Sequence, residues 1–232
     1  RFCLPDISKI NNVEVANISK LDSITFADGQ KVNNQSVSLV TDAHTFIRAE
    51  TVDPSSPPSS INFLDGTSSV VMDSTYDIYE WHFIGIHPAT DHVNFQVQFN
   101  ASGGSGYNET ITSSVTEQYM REDGGNYSLT YRDSIDQAQG TSYQSLTRET
   151  SNDNDSSVNG ILTLYAPSGA TYVKHFTTFV NDMQNQDSYD AYARGTQTAG
   201  YINTTSAVDE VEFKFDSGNI AAGEIRMYGV KG

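Results

Sequence analysis

From Val93 to Asn100 every second residue is apolar: Val93, Phe95, Val97 and Phe99 alternate with Asn94, Gln96, Gln98 and Asn100. Successive side chains of an extended chain point to opposite faces, so this period of two puts four apolar groups on one face and four amides on the other. The same alternation recurs at Tyr127, Leu129 and Tyr131 against Ser128, Thr130 and Arg132, and at Val211, Phe213 and Phe215 against Glu212, Lys214 and Asp216. Ile225 and Met227 alternate with Glu224, Arg226 and Tyr228. Each stretch reads as a half-buried strand with its apolar face on a core. Between them lie "NASGGSGYN", "REDGGN", "SNDNDSSVNG" and "DSGNIAAG", whose Gly, Asn and Asp supply the positive φ angles of tight reversals. Only "VTEQYMRE" at 115–122 offers itself as helix, for two turns at most. Many strands without crossover helices predict an all-β chain folded as an antiparallel β-sandwich.

The stretch "DPSSPPSS" at 53–60 cannot sustain a ladder or a helix and reads as a linker. It separates an extended N-terminal arm, residues 1–52, from the sandwich domain, residues 61–232. Within the arm "ISKINNVEVAN" at 7–17 is echoed by "ISKLDSITFAD" at 18–28, which brings Ile7 and Ile18, Ile10 and Leu21, Val13 and Ile24, and Val15 and Phe26 into register. An eleven-residue period also fits three helical turns, but β-branched residues and the Asp28-Gly29 turn favour short strands. Two such units are too few to bury their own faces. The arm is therefore expected to dock on another surface through Phe2, Leu4, Ile7, Ile10, Val13, Val15, Ile18, Leu21, Ile24 and Phe26, either on sister copies or on a partner protein.

Thirteen basic against 29 acidic residues give a net charge of −16, which repels phosphates and anionic lipid heads. Neither nucleic acid nor a membrane is expected as a partner, and no apolar run approaches the ~20 residues of a membrane helix. One cysteine, Cys3, builds no disulfide framework and reads as a small apolar anchor.

The obvious chemistry is weak. His82, His87 and His92 stand five residues apart beside Glu80 and Asp91, but a five-residue step reverses face in a strand, and helical convergence needs steps of three or four. They read as sheet-surface and turn histidines, with "IYEWHF" and "HVNFQVQF" as successive strands and "IGIHPATD" as the connection reversing them. Asp153, Asp155 and Ser157 resemble the opening of a calcium loop, yet its glycine and glutamate are missing. No G-x-S-x-G elbow marks a nucleophile, and "SGGSG" at 102–106 lacks the lysine of a phosphate loop. No catalytic residue, metal ligand or cofactor is predicted. Aromatic side chains remain as candidates: Trp81 for the core, and Tyr107, Tyr119, Tyr189 and Tyr192 for stacking against the sugar rings of a glycan.

"STYDIYEWHFIGIHPATDHVNFQVQFN" at 74–100 and "AGYINTTSAVDEVEFKFDSGNIAAGEIRMYGVKG" at 199–232 resemble a module of tailed-bacteriophage virion proteins, especially those of marine cyanophages. The resemblance rests on Tyr76 to Tyr79, Pro88 to Asp91, Ser217 to Ile220 and Met227 to Gly229. The arm resembles phage structural proteins with I-x-K-I-N-G-V repeats, although Asn12 and Ser23 stand where glycine is common. It implies a jelly-roll or concanavalin-like sandwich and a non-enzymatic virion structural protein, a capsid decoration or a tail or appendage subunit at the virion surface. Its implied partners are the major capsid or tail protein and copies of itself. The alternative it leaves is a receptor-binding, lectin-like tail-fibre module recognising host glycans.

Overall fold

The computed structural model describes residues 44–186 and 189–231, and within the first 43 residues only the backbone of four two-residue strands. The chain divides into two units, Arg1–Asp42 and Ala43–Gly232. In the first, β1 (Lys9–Ile10) pairs antiparallel with β2 (Val13–Glu14), and β3 (Lys31–Val32) with β4 (Gln35–Ser36). Ile10 faces Val13 across the first pair. The other arm positions proposed for docking, Phe2, Leu4, Ile7, Val15, Ile18, Leu21, Ile24 and Phe26, lie outside the described residues, as does Cys3.

The second unit is an antiparallel β-sandwich with no helix among its described residues. Its strands are β5 (His44–Thr51), β6 (Ser60–Leu64), β7 (Ile78–Pro88), β8 (Phe95–Ala101), β9 (Ile111–Arg121), β10 (Tyr127–Tyr131), β11 (Ala138–Gly140), β12 (Gln144–Ser145), β13 (Val158–Tyr165), β14 (Lys174–Gln186), β15 (Tyr189–Ile202), β16 (Val208–Phe215) and β17 (Ile220–Val230). A nine-stranded sheet runs β10-β9-β15-β14-β13-β7-β17-β5, with β11 beside β9. A four-stranded sheet runs β12-β8-β16-β6.

Aromatic side chains join the sheets. Phe213 of β16 stacks on Phe95 of β8 at 6.0 Å and meets Phe83 of β7 edge-on at 5.2 Å. Trp81 is fully buried against Phe63 and Phe213, each 6.2 Å away, as its place on an apolar strand face predicts. Phe99 meets Phe176 of β14 at 5.4 Å. Burial of this area is the main stabilising term, at roughly 25 cal/mol per Å².

The four stretches that carry the resemblance meet in two pairs. Tyr76 packs over Gly229, where a Cβ would overlap its ring, and lies edge-on to Tyr79 at 5.8 Å. At the other end the turn around Thr90 packs on Gly218, whose φ of 75° also favours glycine, and the Ala89 amide donates to the Asn219 carbonyl at 2.9 Å. These contacts fasten the two ends of the β7–β17 pair within the large sheet.

Several expectations change. Residues 44–51 are not arm: β5 pairs with β17 from Thr51↔Glu224 to His44↔Val230 and forms the edge of the large sheet. Residues 53–60 accordingly join two strands of the sandwich, one in each sheet, and are fastened to it by the Ile220 amide on the Pro58 carbonyl at 2.8 Å and the Asn219 side chain on the Pro57 carbonyl at 2.9 Å. The stretch 115–122 is strand and turn, not helix, because β9 is locked between β10 and β15. "IGIHP" continues β7 through a bulge at Gly85, φ 58°, and the chain then crosses to the other sheet at β8 instead of reversing in place.

Candidate functional site

The nine-stranded sheet has one face on the core and one open. On the open face β10 presents Tyr127, Leu129 and Tyr131, and β9 presents Ser114, Thr116, Gln118 and Met120. β15 adds Ala193, Gln197 and Ala199, β14 adds Thr177, Phe179 and Asn181, and β13 adds Asn159, Ile161 and Thr163. None of these is Asp, Glu, Lys or Arg, on a chain with a net charge of −16. Tyr127, Leu129 and Phe179 are 71%, 75% and 51% exposed. The alternation at 127–131 was expected to turn its apolar side to the core; it turns outward instead, with Tyr127, Leu129 and Tyr131 exposed on the last strand of the sheet. Across β9, β15, β14 and β13 the face holds a shallow depression of about 500 Å³, lined by Thr116, Thr163, Thr177, Ile161, Phe179 and Gln197 among others and reached at its margin by Glu80 of β7.

Charge starts again toward β7 and β17. There Glu80 lies 3.0 Å from the His82 Nε2 and 3.2 Å from that of His44, and the His82 ring meets Tyr228 at 4.7 Å. The His87 Nδ1 meets the Ser156 carbonyl at 2.8 Å, and His92 sits in a turn at φ 53° beside Asp91. The three histidines thus have separate partners. Among the described residues no three His, Cys, Asp or Glu side chains are grouped as a metal would need. Asp153 accepts from Ser151 and Asn185 at 2.8 and 2.7 Å, which holds its carboxyl below the usual range, Asn185 contributing most.

The inner ends of β9, β14 and β15 hold a second feature. Glu117, fully buried, takes Arg132 Nε and Nη2 on Oε1 at 2.9 and 2.6 Å. Its Oε2 faces Arg148 Nε at 3.4 Å and Arg194 Nε at 3.5 Å. Arg194 is 3% exposed; its Nη2 donates to Gln184 Oε1, whereas Nε and Nη1 have no hydrogen-bond partner. Asp182, on β14 opposite Arg194, is pushed up to about 6 by burial, against the pull of that guanidinium. Arg132, Arg148 and Arg194 line a cavity of about 210 Å³ with Tyr119, Tyr192, Asn126 and Gln184. Three of the chain's seven arginines therefore converge in an acidic protein.

Of the four tyrosines singled out for glycan contact, Tyr119 and Tyr192 come together here, edge-on at 5.7 Å. Tyr107 lies elsewhere, beside the small sheet, where its hydroxyl accepts from the Asn62 side chain at 2.9 Å and burial raises its pKa. The Tyr189 side chain lies outside the described residues. The arginines escaped sequence reasoning because 132, 148 and 194 sit in three unrelated segments: the pairing of β9 with β10 and β15 brings the first and last together, and Arg148 joins them from the connection after β12 through Glu117. No family model matches the chain, and no curated protein or solved structure matches it either.

Proposed function

We propose that the chain is a non-enzymatic structural subunit of a tailed-bacteriophage virion, a capsid decoration or tail-appendage protein that docks through its N-terminal unit and displays the sandwich. The observation that supports this reading is the charge-free outer face of β10, β9, β15, β14 and β13. Copies carrying −16 each repel one another, and depletion of charge with enrichment of aromatic side chains is the composition of a contact surface. Sister copies meet through this face, and symmetric repetition multiplies weak single contacts into a stable array. Removal of residues 1–42 is the test, since the sandwich unit begins at Ala43. The truncated protein retains its cooperative thermal unfolding but is missing from purified particles by mass spectrometry; particles that contain it at the normal ratio overturn the proposal.

A second reading, a receptor-binding module for host surface glycans, is favoured by the Tyr119–Tyr192 pair at the mouth of an arginine-lined cavity. Stacking tyrosines beside amides is how a sandwich holds sugar rings. Binding of fluorescent protein to host cells, abolished by Tyr119→Ala, separates this reading from a purely structural role.

A further inference from the structure

We propose that the cavity between Tyr119, Arg132, Arg148 and Arg194 binds a sugar residue bearing a carboxylate, such as a uronate within an acidic polysaccharide. The inference deepens the glycan-recognition reading and rests on it. Its first support is charge: three guanidiniums line the cavity and no carboxylate does, Glu117 lying fully buried behind them and Glu149 meeting Arg148 Nη1 at 2.9 Å from outside the lining. Glu117 Oε1 is taken by Arg132 and Oε2 is shared at 3.4 to 3.5 Å, longer than a charge-assisted hydrogen bond of about 2.7–2.9 Å. Arg148 Nη1 is taken by Glu149 Oε2, and it is Arg194 that keeps buried donors unmade.

The second support is the Arg194 side chain. It is buried, lines the cavity, and keeps two nitrogens without a hydrogen-bond partner. Leaving such donors unmade is expensive, and a planar carboxylate is the acceptor that guanidinium nitrogens fit best. Asp182, its neighbour across the strand pair, likewise keeps Oδ1 without a hydrogen-bond partner.

The third support selects a sugar over other carboxylates. Tyr119 and Tyr192 give an edge-on aromatic wall, and the Asn126 amide supplies both a donor and an acceptor for hydroxyl groups. At about 210 Å³ the space is below the ~300 Å³ of pockets for drug-sized ligands and suits one ring.

Calorimetric titration of the full-length protein with methyl glucuronide, methyl glucoside, sodium sulfate and an acetylated dipeptide carries the test. The glucuronide binds at least about tenfold more tightly than the glucoside, and Arg148→Gln, at a quarter-exposed position, loses that preference while its melting temperature stays close to the parent's. Equal binding of the two glycosides, or no binding of either, overturns the proposal. Sulfate or the peptide binding as tightly as the glucuronide overturns the sugar assignment. If glucuronide binds yet host cells do not, the cavity stands and the receptor reading falls; host-cell binding without glucuronide binding gives the reverse.

Discussion

β14 carries Phe176 and Val180 into the space between the sheets at one end and Asp182 and Gln184 at the other. β9 does the same with Ile111 and Val115 followed by Glu117, and β15 with Ile202 followed by Thr198, Thr196 and Arg194. The same three strands thus pass from an aromatic interior to a charged one. The change follows the facing chain: at the first end Phe99 of β8 meets Phe176 at 5.4 Å, and at the second the chain around Arg148 and Thr150 faces the strands, the Thr150 hydroxyl donating to Asp182 Oδ2 at 3.0 Å and its amide to the Val93 carbonyl at 2.8 Å. A sheet that presents aromatic rings demands apolar partners, whereas a connecting segment brings polar groups that must be satisfied. The outer face of these strands reverses the usual arrangement again, uncharged where it meets water.

Changes at the two ends should therefore fail in different ways. Phe213→Ala removes the ring that touches Phe63, Trp81, Phe83 and Phe95, and is expected to cost about 4 kcal/mol in urea unfolding. A loss below about 1 kcal/mol would mean that the aromatic end does not hold the sheets together. Glu117→Gln at the charged end leaves three guanidiniums around a neutral amide and is expected to cost about 3 kcal/mol, moderated by solvent reaching Arg132 and Arg148. High salt should narrow that difference, which it cannot do for Phe213→Ala.

Asp182 should behave oppositely. Its folded-state pKa of about 6 lies above the ordinary 3.8, so the stability it contributes is fully present below about pH 4 and is lost as pH rises through 6. Asp182→Asn removes that loss, and at pH 7 the variant should be more stable by about 2 kcal/mol. Thermal melts at half-unit pH steps check the sign: a variant that matches the parent at pH 4 and exceeds it at pH 7 agrees, whereas one weakened at both means that the carboxylate is needed by Arg194.

Strands at 93–100 and 211–215 were legible because apolar residues alternate with polar ones, although Gln98 and Asn100 are buried instead of facing water. At 115–122 the signal inverts: Glu117 and Tyr119 point inward while Met120 points out, so no apolar stripe marks the strand. At 127–131 the alternation was real, but sequence could not say which side faces the core, since that depends on what packs against the strand. The place of β5 was hidden for another reason. Its partner β17 is the last strand of the chain, and the prolines after Thr51 mark a crossing between sheets as readily as a domain linker. The motifs at Tyr76, Pro88, Ser217 and Met227 meet at the two ends of the β7–β17 pair, so they mark how these strands are joined. The arginine cavity had no local signal at all.

The outer face offers the smallest effect on folding and the most direct test of the account. Phe179 is half exposed at the centre of that face, so Phe179→Asp should change stability by less than about 0.5 kcal/mol. Sedimentation velocity of the full-length protein and this variant over a range of concentrations decides whether the uncharged face joins copies of the chain. The account predicts oligomers for the parent and a monomer for Phe179→Asp, and a parent that remains monomeric, or a variant that associates equally well, would contradict it.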